Sequence, residues 1–161
     1  MVHPAGDMQA LTTQMTAYGL PDIAKDTGYT PYQVLVMASL VEKEAITKDF
    51  GKVSRVTYNR LRESMKLQYD STVNYVLDRP AIRTNPEDRA RVGPYNTYDN
   101  TGLPPTPISA PGKGALDAAV KPEQGEWLFF VRCQKDGSSC FAVTNDEHEQ
   151  NVDLASENGA Y

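Results

Sequence analysis

The chain is poor in the residues that announce a metal, a redox centre or a membrane span. Its 161 residues include 2 cysteines, too few for a disulfide framework and unable to make a structural zinc site without His partners, and its only histidines are His3 and His148. It has no HExxH, no glycine-rich phosphate loop and no GxSxG elbow, which excludes the zinc-hydrolase, P-loop and serine-hydrolase chemistries those motifs carry. The longest apolar or near-apolar run, Val34 to Val41, falls far short of the ~20 residues that cross a bilayer. Positive charge is also scarce: 16 Lys and Arg stand against 21 Asp and Glu, for a net charge of −5, with no cationic cluster. A phosphate backbone would be repelled, so nucleic acid is not an expected partner. What remains, 40% hydrophobic and 23% charged, is the composition of one globular domain.

Local signals predict a helical first half. Thr30-Pro31-Tyr32-Gln33 has the capping-box pattern with proline at the first helical position, and it opens an apolar segment reaching Ala45. Being apolar nearly all round, that helix should be buried. A second helix is expected from Lys52 to Met65, with Val53, Val56, Thr57, Arg60 and Leu61 at helical spacing. Ser71 is placed to cap a third, striped by Val73, Val76 and Leu77. Between Pro80 and Pro111 the chain holds 7 of its 11 prolines, too long a stretch for a simple connector and therefore read as a functional loop. A short helix over Ala115 to Val120 should end before Pro122. Trp127 to Arg132 and Cys140 to Thr144 should then form a hairpin. The polar tail after Asn151 is expected to fray. The division expected is an N-terminal extension over 1–27, with a weak amphipathic pattern at Met8, Leu11, Met15 and Tyr18, a domain over 28–152 and a tail over 153–161.

Cys133 and Cys140 bracket the segment QKDGSS. A two-residue turn at Asp136-Gly137 would pair 134 with 139 and set 133 opposite 140. Opposed Cα atoms lie ~4.5–5.5 Å apart, within or at the edge of disulfide range, so a bridge and an oxidising compartment are expected. Two reduced, half-buried thiols are the alternative.

Three groups of residues could carry chemistry. Glu42 and Glu44 end the buried helix, and residues two apart point about 200° apart, so only one can face a cleft. Glu44, one turn beyond Leu40 and Val41, has the more apolar surroundings and the better reason for a raised pKa. The alternative is a solvated helix end. Gln68, Asp70 and Thr72 alternate, and in an extended segment they would share one face of a groove; alternatively Asp70 or Ser71 merely caps the third helix. Tyr95-Asn96-Thr97-Tyr98 lies mid-loop, with aromatic faces for sugar C–H surfaces and an amide for an acetamido group, or else serves to anchor the loop. A lone His148 reads as a surface residue or as one supporting the site from behind.

Taken together, Met37-Ala38-Ser39-Leu40-Val41-Glu42-Lys43-Glu44, Tyr58-Asn59-Arg60-Leu61, Leu67-Gln68-Tyr69-Asp70-Ser71-Thr72-Val73, Tyr95-Asn96-Thr97-Tyr98, Thr101-Gly102-Leu103-Pro104-Pro105 and Ala110-Pro111-Gly112 resemble the MltG (YceG-like) family of endolytic murein transglycosylases. The resemblance runs from about Thr30 to Val152. It implies an α+β fold, a lysozyme-like helical core with a β-hairpin appendage and a long Pro/Tyr/Asn-rich active-site loop. It also implies cleavage of the MurNAc-β-1,4-GlcNAc bond of nascent glycan strands without any cofactor or metal, and a catalytic Glu that falls on Glu44. Gln68, Asp70, Thr72, Tyr95, Asn96, Thr97 and Tyr98 are then the expected substrate-binding residues. Peptidoglycan strands are the expected partner, with wall-synthesis enzymes as further candidates. The family is normally tethered outside the cytoplasmic membrane by an N-terminal helix that this chain lacks. Tyr69, Ser71 and the cysteine pair depart from the family pattern. Two alternatives stay open: a hydrolytic muramidase using Glu44 and Asp70, and a non-catalytic glycan-binding module.

Overall fold

The computed structural model describes residues 13, 16, 19–80 and 83–160. The pattern at Met8, Leu11, Met15 and Tyr18 therefore lies outside the described residues. The order of elements is α1 (Leu20–Ile23), a 3-10 turn (Ala24–Thr27), α2 (Pro31–Glu44), a second 3-10 turn (Thr47–Asp49), α3 (Phe50–Arg62), α4 (Asp70–Leu77), α5 (Pro86–Arg89), α6 (Lys113–Val120), β1 (Phe129–Arg132), β2 (Ser139–Ala142) and α7 (Asn145–Glu157). This is an α+β fold in which helices build the core and a two-stranded antiparallel sheet is applied to it.

The chain forms α2 where the capping signal stands. The Thr30 hydroxyl accepts from the Gln33 N–H at 3.1 Å, and the Gln33 side-chain oxygen accepts from the Thr30 N–H at 3.0 Å. Every residue from Val34 to Val41 is buried, so the helix is the axis of the core and not a surface element. Shortening a fully buried residue such as Leu40 to Ala would open a cavity costing about 2–5 kcal/mol. The small residues Ala115, Ala118 and Ala119 of α6 are buried in the core with α2, and Val53 of α3 joins them. The Tyr58 hydroxyl of α3 donates to the Ala119 carbonyl at 2.5 Å, which ties α3 to α6. The proline-rich stretch is seated on α2 by Ser39: its hydroxyl accepts from the Ile108 N–H at 3.1 Å, and its carbonyl accepts from the Ser109 hydroxyl at 3.0 Å.

The hairpin forms with a register that corrects the expected one. Phe129 pairs with Ala142, Phe130 with Phe141, Val131 with Cys140 and Arg132 with Ser139, so Cys140 faces Val131 and not Cys133. The turn is longer than Asp-Gly alone requires. Asp136 Oδ1 accepts from the Ser138 N–H at 2.8 Å, Gly137 takes φ 93°, and the Ser138 carbonyl accepts from both Cys133 N at 3.0 Å and Gln134 N at 3.2 Å. These local bonds end the ladder at Arg132. Cys133 nonetheless reaches Cys140 diagonally and the disulfide is present, with the Cα atoms 5.7 Å apart.

The tail does not fray after Asn151. Thr144 caps α7 by accepting from the Glu147 N–H at 3.3 Å, and the helix runs to Glu157. It is held by the hairpin: Ala155 is fully buried, and the Asn158 amide donates to the Cys133 carbonyl at 2.9 Å. The third helix starts at Asp70, with Tyr69 and not Ser71 in the cap position.

Candidate active site

A cleft of about 480 Å³ opens where the end of α2, the start of α4, β1 and α7 converge. Glu44, the last residue of α2, lines it. The Ser71 hydroxyl donates to Glu44 Oε1 at 2.6 Å and the Ser71 N–H donates to the same oxygen at 3.2 Å. Glu44 keeps some exposed surface, yet protein atoms crowd it. Burial pushes its carboxyl up to about 7, against the lowering effect of the two Ser71 bonds; the Asp70 charge adds to the rise and Arg132 opposes it. Glu42 points elsewhere, as two residues of helical rotation require: its Oε1 accepts from the Gly112 N–H at 2.8 Å at the start of α6. Of the two carboxyl groups at this helix end, only Glu44 lies in the cleft.

Asp70, in the first turn of α4, also lines the cleft, but donors surround its carboxylate. Oδ1 accepts from the Thr84 hydroxyl at 2.5 Å and from the Tyr98 hydroxyl at 2.5 Å, and Oδ2 from the Thr84 N–H at 3.4 Å. Burial, followed by the hydrogen bond to Asp70, holds the Tyr98 phenol well above the usual tyrosine range, so Tyr98 stays protonated and donates. The Arg89 guanidinium sits 5.4 Å from the Tyr98 ring centre and its Nε donates to the Thr84 hydroxyl at 2.9 Å. Asp70, Thr84, Arg89 and Tyr98 thus fasten the long loop to α4.

The structure divides the remaining expected site residues. Gln68 is exposed on the cleft wall, with φ 57° and its N–H donating to the Thr97 carbonyl at 3.1 Å. That left-handed residue and the helix beginning at Asp70 break the expected alternation. Thr72 turns inward and donates to the Tyr69 carbonyl at 2.7 Å. Thr97 is buried 3.0 Å from the Thr72 hydroxyl, and its own hydroxyl accepts from the Tyr69 N–H at 2.8 Å. The buried Asn96 amide nitrogen donates to the Arg89 carbonyl at 2.9 Å and also to the Arg91 carbonyl, while its oxygen accepts from the Tyr98 N–H at 2.9 Å. The Tyr95 hydroxyl meets that of Thr106 at 2.8 Å, and its ring lies 5.2 Å from that of Tyr75. In this structure Thr72, Tyr95, Asn96 and Thr97 organise the loop, and Gln68, Asp70 and Tyr98 reach the cleft.

The cleft also holds Arg132, which the sequence does not single out, and His148, read there only as a surface or supporting residue. The ring of His148 stacks on Phe129 with centres 5.1 Å apart, and the Arg60 guanidinium covers Phe129 at 5.2 Å. Burial, then the Arg60 charge, lowers the His148 pKa from 6.5. Its Nδ1 has no hydrogen-bond partner among the described residues. Arg132, at the end of β1, enters beside Glu44. No local motif marks these residues, because the hairpin and α7 bring them to α2 only in the folded chain. No group of three or more His, Cys, Asp or Glu side chains that could hold a metal ion occurs among the described residues.

The family model described as YceG-like matches residues 4–154. The chain belongs to the YceG-like family. It is 40% identical over 120 residues to the endolytic murein transglycosylase of Bacillus subtilis strain 168, covering 74% of this chain and 33% of that protein. Against the endolytic murein transglycosylase of Streptococcus pneumoniae serotype 2 it is 32% identical over 139 residues, covering 80% of this chain and 24% of that one. The crystal structure of a yceG-like protein from Listeria monocytogenes aligns with a TM-score of 0.79 at 36% identity, over 88% of this chain and 46% of that chain. The YceG-like domain described here therefore spans about a third or less of the curated relatives it matches. No helix among its described residues is long and apolar enough to cross a membrane.

Proposed function

We propose that this chain carries the catalytic centre of an endolytic murein transglycosylase, with Glu44 acting first as acid and then as base. The observation that carries the reading is the contrast between the cleft's carboxyl groups. Glu44 is raised to about 7 and so holds a proton near neutrality, whereas both oxygens of Asp70 already accept hydrogen bonds from the protein. The names of the relatives in Bacillus subtilis and Streptococcus pneumoniae support the same substrate.

In this mechanism protonated Glu44 gives its proton to the oxygen of the MurNAc-β-1,4-GlcNAc bond as the bond to C1 breaks. The resulting carboxylate then takes the proton of the MurNAc C6 hydroxyl while O6 closes on C1, leaving a 1,6-anhydro ring and a regenerated acid. No water is consumed. Ser71 orients the carboxyl group and stabilises its anionic form between the two proton transfers. Gln68 and Tyr98 are placed to meet sugar rings. Asp70 positions Tyr98, and Thr72, Tyr95, Asn96 and Thr97 hold the loop that supplies it. The helical core with its acid at the end of a buried helix supports a lysozyme-like reading, and the bridged hairpin supports an oxidising, extracytoplasmic location. We further propose the membrane tether and the contact with wall-synthesis enzymes that the family resemblance implies.

A second reading has one observation in its favour: Asp70 lines the same cleft and lies close enough for its charge to raise Glu44. In that muramidase Asp70 would help water attack C1. Digestion of purified glycan strands with the wild-type chain and with Glu44→Gln tests the proposal. Cleavage that disappears in the variant is expected; undiminished cleavage by a folded Glu44→Gln would overturn it, and intact strands with both proteins would leave the binding-module alternative.

A further inference from the structure

Acidic side chains outnumber basic ones 21 to 16 over the chain, yet the cleft reverses that balance. Lys43, Arg60, Arg83, Arg89 and Arg132 line it against Glu44 and Asp70. Arg60 is explained by the fold: it is buried, and its guanidinium donates to the carbonyls of Leu128 at 2.6 Å, Lys66 at 2.8 Å and Leu67 at 3.1 Å. Lys43 and Arg132 have no such explanation. Both are exposed at the cleft beside Glu44, and among the described residues neither lies within ion-pair distance of a carboxylate. Arg89 stands on the Asp70 side, with Nε and one terminal nitrogen used by Thr84.

A neutral sugar ring needs hydroxyl and amide partners and an apolar face, none of which calls for fixed cations. A concave, partly desolvated wall of one charge sign instead focuses its field on a ligand of the other. We infer that Lys43 and Arg132, with Arg89 across the cleft, bind carboxylates carried on the lactyl side of MurNAc. This rests on the glycan-cleaving reading above. The carboxylate has two possible sources: the peptide joined to the lactyl group, or the lactyl acid itself where the peptide has been removed. Guanidinium and ammonium groups recognise both through the same charge-assisted hydrogen bonds.

Glu44→Gln supplies a form that binds without turnover. Its affinity is measured by calorimetry for peptide-bearing glycan strands, for strands stripped of peptide by an amidase, and for chitooligosaccharides of equal length, each at low and high salt. Anionic ligands should bind more tightly than the neutral one by up to about 25-fold, the upper range for two exposed ion pairs, and salt should narrow the gap. Adding Lys43→Gln or Arg132→Gln should weaken the anionic ligands by about 1.5- to 5-fold each and leave the chitooligosaccharide unchanged. Lys113→Gln, on α6 and paired with Asp117 at 3.0 Å, should change nothing. If the peptide-bearing strands lose more than the stripped ones, the peptide is the source; the reverse assigns the lactyl acid. Equal affinity for charged and neutral ligands at all salt concentrations would overturn the inference, as would equal weakening of all three ligands by the two substitutions. Turnover of strands by the wild-type chain reports separately on the glycan-cleaving reading.

Discussion

The end of α2 and the start of α4 each bring one carboxyl group to the cleft, and their surroundings differ. Around Glu44 there is an apolar helix behind and, among the described residues, a single hydrogen-bonding partner in Ser71, so burial lets the group keep its proton to about 7. Around Asp70 there are Thr84 and Tyr98, whose hydrogen bonds to both carboxyl oxygens make the group an anchor for the loop over residues 84–98. The same functional group becomes a proton donor at one site and a fastener at the other, and environment alone makes the difference.

The largest effect that can break this comparison is loss of the donor. Glu44→Gln keeps the volume and the Ser71 contact but not the proton, and strand cleavage should fall by about 10²- to 10⁴-fold, with an unchanged circular dichroism spectrum. Retained activity would remove the contrast altogether. The fastener side predicts a smaller and mixed effect. Asp70→Asn or Tyr98→Phe should lower turnover by up to about 10²-fold through a displaced loop. Urea unfolding should show that each costs about 1–3 kcal/mol of stability, because a buried partner is left unmatched. A loss in Asp70→Asn as deep as in Glu44→Gln, without loss of stability, would mean that Asp70 is itself a catalytic group.

The raised Glu44 pKa sharpens the comparison in a third way. In the folded chain Glu44 binds its proton up to about 7, whereas the ordinary value is 4.5. Between those values the native state holds more protons than the unfolded one, so stability falls as pH rises through the window. Glu44→Gln lacks this dependence and should gain about 1–3 kcal/mol relative to wild type between pH 4.5 and pH 7, read as a growing difference in Tm across a pH series. Wild-type turnover should decline above about 7 as the acid form is lost. The smallest effect belongs to Glu42→Gln, which keeps an acceptor for Gly112 N–H and loses only the charge at the start of α6. It should retain most activity and cost about 0.3–1 kcal/mol.

What could be read from the sequence follows from how local each determinant is. The α2 helix was legible because its cap, its proline and its apolar run lie within one segment, and the separation of Glu42 from Glu44 needs only helical geometry. The sequence supports the disulfide but not its register, because the Ser138 N–H donates to Asp136 within the turn and the ladder ends at Arg132–Ser139, with Cys140 opposite Val131. Asn96 and Thr97 looked like ligand residues, since nothing local discloses that carbonyls of Arg89 and Arg91 and the hydroxyl of Thr72 use their polar atoms. Asp70 is similar: its partners lie 14 and 28 residues away. Arg132 and the helical tail to Glu157 are hidden for the same reason, and His148 reads only as a surface or supporting residue, because the docking of α7 on the hairpin is not specified by the linear pattern.

The claim that one carboxyl group does all the proton work is tested most directly by the new ends formed when glycan strands are digested in ¹⁸O-labelled water. If Glu44 acts alone and the MurNAc C6 hydroxyl is the nucleophile, mass analysis should find 1,6-anhydroMurNAc ends, lighter than hydrolysed ends by one water, with no ¹⁸O incorporated. Reducing ends carrying ¹⁸O would contradict the account and transfer the role of second catalytic group to Asp70.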